Sequence, residues 1–239
     1  HTHTHTHTHT HTVGGNNNLQ AARYESGLDN SPMYDAPPIQ FNNVTHRMEL
    51  WDVGLNSLFI ADCENLAKIA DILGPSFVPD YEVSTLRSRK RAIADNLQRH
   101  LWHAPSGIFL NRIPWTARNG TLNFYARLSP TLFYPMIGGS ATIPQAIRMI
   151  KDHLLRPEEF CVASECPYAM PSIARNDVAF QDNSYWRGRI WGPMNFLVYL
   201  GLRRYRSVDP SISVAIRVCC CINPSLLISI RYPFGVNRD

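Results

Sequence analysis

Tyr24-Glu25-Ser26-Gly27-Leu28-Asp29-Asn30-Ser31-Pro32 reads as a constrained turn rather than a helix or a strand. Gly27 supplies backbone freedom, and Pro32 stops a helix from running through. Asn30 and Ser31 carry short polar side chains that hydrogen-bond the local backbone and fix such a loop. A loop built this way holds one carboxyl group, Asp29, at the mouth of whatever lies beneath it. The competing reading is a helix N-cap, because Asp or Ser before an apolar run satisfies the open N–H groups of a first turn.

A second unusual stretch lies far downstream: Asn183-Ser184-Tyr185-Trp186-Arg187-Gly188-Arg189-Ile190-Trp191-Gly192-Pro193-Met194-Asn195. It sets Tyr, two Trp and two Arg around glycines. Aromatic faces with Arg and Asn donors suit a sugar, which offers apolar C–H faces and a rim of hydroxyls. The alternative is that Trp186 and Trp191 are core anchors, with the arginines laid along the surface by their apolar stems.

Taken together, the two stretches resemble glycoside hydrolase family 63 and its relatives in the six-hairpin glycosidase superfamily. These include mannosylglycerate hydrolases, processing α-glucosidases and, more distantly, trehalases. The first family motif reads W-E-S-G-x-D-N-S-P, with Tyr24 here in place of Trp; the second, Y-W-R-G-x-x-W, is matched by Tyr185 to Trp191. Asn56 to Gly74, Leu101 to Phe109 and Arg127 to Pro130 also resemble family segments, so the likeness spans residues 21 to 205. The resemblance implies an all-α fold, an (α/α)6 barrel with its site at one end. It implies Asp29 as general acid and Tyr24, Asn30, Tyr185, Trp186, Arg187, Gly188 and Trp191 as substrate-binding residues. Trp186 would offer a stacking face, and Gly188 a close backbone approach. The partner would be a small carbohydrate, an α-linked glucoside or mannoside.

Inverting glycoside hydrolysis needs two carboxyl groups about 6.5–9.5 Å apart, one protonating the leaving oxygen and one activating water on the opposite face of the sugar. The family's base is a Glu in a segment resembling E-N-Y-x-P-x-x-G. No such segment occurs here, and Glu158 and Glu159 do not match it. The expectation is half of a catalytic pair, in a chain inactive or nearly so as written. Two alternatives stand beside it: a non-catalytic carbohydrate-binding remnant, and a helical interaction scaffold.

Apolar residues at Leu55, Leu58, Phe59, Leu66, Ile69 and Leu73 have helical spacing and predict a helix over 49–73, stopped by Gly74-Pro75. Further helices are expected over 81–101, 129–137, 144–154 and 191–205, with irregular chain over 105–121 and 167–183. Leu86, Ile93, Leu97 and Leu101 mark the apolar face of the second helix, and the basic run Arg87-Ser88-Arg89-Lys90-Arg91 its solvated face. Strand alternation is scarce. A closed barrel of twelve helices averaging about 11–12 residues, with long connections, exceeds this chain, so about half of the toroid is expected.

Residues 1–12 are six His-Thr pairs, as an in-frame CA repeat would encode. Residues 1–20 are therefore read as a disordered low-complexity tail, 21–208 as the partial glycoside hydrolase domain, and 209–239 as a divergent, aberrant tail containing Cys219-Cys220-Cys221. Metal binding by the six histidines is the alternative to the low-complexity tail, which is preferred; the three adjacent thiols, with no second distant pair, lack zinc-site spacing, so no metal and no cofactor is expected. Cys63 reads as core, while Cys161 and Cys166 are close enough to pair without being required to. Asn43-Val44-Thr45 and Asn119-Gly120-Thr121 fit the glycosylation triplet.

The 239 residues are 44% hydrophobic and 18% charged, ordinary for a globular domain. A net charge of +4 is too small to indicate a nucleic-acid partner. Arg217, Asn223 and Pro224 interrupt the apolar run near the C-terminus, so no membrane span is expected. With no signal-peptide pattern visible, a cytoplasmic location is favoured. Oligomeric state is left open.

Overall fold

The computed structural model describes residues 18–113, 123–162 and 169–209, together with 212 and 215. The His-Thr repeat, Asn119–Thr121, Cys166 and Cys219–Cys221 lie outside the described residues. Five α-helices form the frame: α1 (Leu19–Glu25), α2 (Val53–Leu73), α3 (Asp80–Leu101), α4 (Ile143–Met149) and α5 (Gly192–Arg204).

α2 starts where the Asp52 side chain accepts the Leu55 N–H at 2.7 Å, and it ends at Gly74, whose φ of 82° favours glycine. Its helical period is as expected, but the buried face is another one. Val53, Ser57, Ile60, Ala67 and Ala70 face the core, whereas Leu55, Phe59, Leu66, Ile69 and Leu73 are 42–51% exposed. Small residues on the inner face let α3 and the segment after residue 129 pack closely. On α3, Leu97 and Leu101 are buried as expected, with Ile93 and Leu86 partly so. The basic run is solvated: Arg87 reaches Asp71 and Lys90 reaches Glu64.

Glu64 fastens three helices. Lys68 of α2, Lys90 of α3 and Arg204 of α5 all bond its carboxylate, at 2.6, 2.6 and 3.1 Å. Burial alone would raise the Glu64 carboxyl; the hydrogen bonds from these three cations outweigh it and hold it at about 2.

The expected helix over 129–137 is a 3-10 helix, Pro130–Met136, buried at every residue. Pro130 and Pro135 lack the N–H groups a regular α-helical ladder would use. The helix expected over 144–154 begins as α4 with a capping box between Thr142 and Gln145, then widens into a π-turn at Ile150–Leu154. Within that turn His153 is buried, with Nδ1 2.7 Å from Glu159 and Nε2 2.7 Å from the Ser106 carbonyl.

Three small antiparallel hairpins interrupt the helices: β1 (Phe41–Asn42) with β2 (Arg47–Met48), β3 (Trp102–His103) with β4 (Ile108–Phe109), and β5 (Asn111–Ile113) with β6 (Asn123–Tyr125). The irregular stretch expected over 105–121 thus contains two strands, and a 3-10 turn, Val178–Asp182, sits in the loop expected over 167–183. One continuous core joins α2, α3, the 3-10 helix, α4 and α5, with Phe133 and Phe160 meeting edge-to-face at 5.2 Å. Cys63 is buried and free, and Cys161 is disulfide-bonded. Among the described residues no helix is long and apolar enough to cross a membrane.

Candidate active site

The Tyr24–Pro32 stretch finishes α1 and then turns sharply. Gly27 adopts a φ of 71°, and the Ser26 hydroxyl accepts the Leu28 N–H. The Ser31 N–H closes a four-residue turn onto the Leu28 carbonyl at 2.8 Å, which leaves Asp29 and Asn30 at its centre. Asp29 is therefore not a helix cap. That role falls to Ser31, whose hydroxyl accepts the Met33 N–H of the 3-10 helix Pro32–Tyr34. Among the described residues no donor reaches the Asp29 carboxylate.

The downstream motif folds into a second tight turn. Ser184 and Arg187 exchange backbone bonds of 3.1 and 2.8 Å, with Asn183 and Tyr185 at positive φ of 42° and 51°. Left-handed backbone at a tyrosine costs free energy of order 1–3 kcal/mol and persists only where surrounding contacts enforce it. Here a ring cluster does so. Trp186 stacks on Trp191 with centroids 4.0 Å apart, Tyr185 meets Trp191 edge-on at 5.0 Å, and the Trp191 indole donates to the Tyr185 carbonyl.

Asn30 joins the two turns. Its amide oxygen accepts the Trp186 backbone N–H at 2.9 Å and its amide nitrogen donates to the Ser184 carbonyl at 3.4 Å, across 156 and 154 residues. Asp35, which follows the acidic turn, ties the same pieces by charge. Its carboxylate receives Arg127 at 2.9 Å, Arg187 at 2.9 Å and Arg23 at 3.5 Å. Arg187 also pairs with Asp182, and Arg127 makes a two-pronged pair with Asp177.

The remaining sequence candidates fall as follows. Tyr24 is 57% and Tyr185 42% exposed, whereas Trp186 is only 8% exposed and has one ring face covered by Trp191. Gly188 has a φ of 102°, and a Cβ there would lie 2.6 Å from the Phe180 carbonyl oxygen, so its missing side chain admits the protein's own backbone. The Trp186 indole N–H is buried, with no hydrogen-bond partner among the described residues. Trp186 walls a cavity of about 130 Å³ shared with Leu28, Tyr34, Asp52, Tyr134 and Leu55; Asp29 is not among its lining residues.

Two groups at this place have no counterpart in the sequence reading. One is Asp35. The other is Asp52, whose buried carboxylate accepts from Tyr34 Oη and Asn111 Nδ2 at 3.1 Å each, while also capping α2. Burial pushes the Asp52 carboxyl up, against the opposing Leu55, Tyr34 and Asn111 hydrogen bonds. Burial, then Asp52, pushes the Tyr34 phenol well above its ordinary value. A cap immediately before an apolar-periodic helix was the signal that marks Asp52.

The sequence matches, over residues 3–218, the family model described as the mannosylglycerate hydrolase MGH1-like glycoside hydrolase domain. Comparison with curated proteins gives no match. Among solved structures, an uncharacterized conserved protein from Thermus thermophilus superposes with a TM-score of 0.60 at 20% identity, covering 82% of this chain and 53% of that one. A GH63 mannosylglycerate hydrolase from Thermus thermophilus in complex with glucose gives 0.54 at 21% identity, covering 70% and 35%. A structure of that description in complex with Tris gives 0.58 at 19% identity, covering 81% and 53%. At these identities the structural likeness speaks for the fold, a partial (α/α)6 toroid, and the chain spans about half the length of the structures it resembles or less.

Proposed function

The chain belongs to the mannosylglycerate hydrolase MGH1-like glycoside hydrolase family, and from that premise we propose that it carries the acid half of an inverting α-glycosidase site, with Asp29 as general acid. The substrate class is an α-linked glucoside or mannoside, as an oligosaccharide or a glycosylglycerate. The observation that supports this reading is Asn30, which fixes the turn holding Asp29 directly against the Trp186 turn. Asp29 gives its proton to the leaving oxygen. Tyr185, whose residue is 42% exposed, supplies a ring face on the neighbouring turn. Arg187 and Asp35 hold the two turns together. The family's E-N-Y-x-P-x-x-G segment has no match in the 239 residues, so the group that activates water is assigned outside this sequence.

Azide tests the assignment, because it attacks the anomeric carbon without needing a base. An aryl α-glucoside or α-mannoside incubated with the chain and azide should yield the β-glycosyl azide and the phenol. The new C–N bond replaces the C–O bond, and the Asp29 proton goes to the leaving oxygen. Asp29→Asn should slow this by about 10²–10⁴-fold for a poor leaving group. Azide product made equally well by Asp29→Asn would remove Asp29 from the mechanism. Sugar binding with no azide product favours the second reading, a non-catalytic carbohydrate-binding remnant, which the missing Glu segment also suits. Neither binding nor product, in a folded chain, favours the scaffold.

A further inference from the structure

A cleft of about 390 Å³ opens between the start of α2 and the second half of α3, apart from both sequence motifs. This volume is within the range of about 300–1,000 Å³ usual for small-ligand sites. Its floor is the stripe Ile93, Leu97 and Leu101, spaced four residues apart on one face of α3. One step around the helix, Asn96 and His100 form a polar wall. Facing them is Trp51, with a 40% exposed ring that meets His100 edge-on at 5.4 Å.

Trp51 is held firmly. Its N–H and C=O exchange bonds of 2.8 and 3.1 Å with Arg112, and the next residue caps α2. Asn56 donates its amide to the Asp52 carbonyl at 2.6 Å, which leaves its amide oxygen for the cleft. The side-chain polar groups of Trp51, Asn96 and His100 make no hydrogen bond within the described protein. Among the described residues no Lys, Arg, Asp or Glu lines the cleft.

This combination selects a chemistry. A charged ligand would find no counter-charge. A purely apolar one would leave the polar groups of Trp51, Asn96 and His100 and the Asn56 amide oxygen unpaired, each at a cost in desolvation. A neutral ring with one C–H face and a rim of hydroxyls satisfies both the indole plane and the amides. We propose that the Trp51 cleft is a second carbohydrate site, taking a neutral pyranose stacked on Trp51 and hydrogen-bonded by Asn56, Asn96 and His100. None of its lining residues lines the cavity beside Trp186, so the assignment does not depend on Asp29 being an acid.

The test is a titration of the 239-residue chain with methyl α-D-glucopyranoside and methyl α-D-mannopyranoside, followed by saturation-transfer NMR and calorimetry. Saturable binding in the millimolar range is expected, weakened about tenfold or more by Trp51→Ala and by Asn96→Ala. Asn96 is exposed and its side chain makes no hydrogen bond among the described residues, so its variant is expected to fold as the parent does. Trp51→Phe keeps the ring and the Arg112 pairing, and should retain part of the affinity. Trp186→Phe and Asp29→Asn should leave this binding in place. Binding untouched by Trp51→Ala and Asn96→Ala, binding lost in Trp186→Phe, equal binding of glycerol, or no saturable binding would each overturn the proposal.

Discussion

Replacing Asn30 by Ala removes a side chain that hydrogen-bonds the acidic turn to the aromatic turn twice, and leaves between these turns the longer bond from the Arg187 guanidinium to the residue-30 carbonyl. The Trp186 N–H loses its 2.9 Å acceptor and the Ser184 carbonyl loses a longer 3.4 Å donor. A net hydrogen bond contributes about 0.5–1.5 kcal/mol, and a buried donor left unpaired costs about 1–3 kcal/mol. Asn30 is only half-buried, so water replaces part of what is lost, and the expected destabilisation is about 1–2 kcal/mol. For a chain of this size that lowers the thermal midpoint by about 3–6 °C. Asn30→Asp keeps the acceptor for Trp186, with the Arg187 guanidinium 3.4 Å from the neighbouring Asn30 carbonyl, so it should cost less than Ala. Urea unfolding followed by tryptophan fluorescence measures all three proteins. An Ala variant within about 0.3 kcal/mol of the parent, with unchanged emission, would show that Asn30 does not hold the turns together.

Glu64 should make the fold acid-sensitive. Its folded carboxyl sits at about 2 against an ordinary 4.5, so its contribution is present above pH 4.5 and lost as pH falls toward 2. After discounting for solvent screening this is about 1–3 kcal/mol, and Glu64→Gln should flatten the acid limb of a stability-versus-pH curve. His153 should act at the other end. Burial opposes its charge, but Glu159 and the Ser106 carbonyl win, and its pKa is raised above 6.5. Its stabilisation is therefore complete below pH 6.5 and lost as pH rises through the folded value, a decline that His153→Gln should abolish in the same measurement. Gly188→Ala places a Cβ 2.6 Å from the Phe180 carbonyl at a φ of 102°, and should destabilise by more than about 2 kcal/mol; a neutral result by calorimetry contradicts the packing described. Ile69→Lys, on the exposed apolar stripe of α2, should raise solubility while changing stability by less than about 0.5 kcal/mol.

Helices were legible from the sequence because their period repeats over several turns; α3 and α5 lie within a residue of their expected bounds. The face of α2 was not legible, since it is apolar on two sides and spacing alone does not say which side meets a neighbour. The hairpins were not legible either, because two or three residues are too few to show alternation. At the candidate site, the residue types of both motifs pointed to one place, but what joins them did not show. Asn30 and Asp35 act across more than 150 and 90 residues of chain, distances over which local pattern carries no information. Asp52 fell inside the helix expected over 49–73, and only the fold makes it the cap of α2 and brings Tyr34 and Asn111 to its other oxygen.

The Trp186–Trp191 stack has an optical consequence. Two indoles 4.0 Å apart and tilted by only 16° have coupled electronic transitions, so their near-ultraviolet circular dichroism is a joint property of the pair. The turn carrying Trp186 and the helix start carrying Trp191 therefore report their relative placement without any attached label. A ligand that slides between the rings, or a variant that lets the 184–187 turn relax, should extinguish that joint signal while the helical far-ultraviolet spectrum stays as it was.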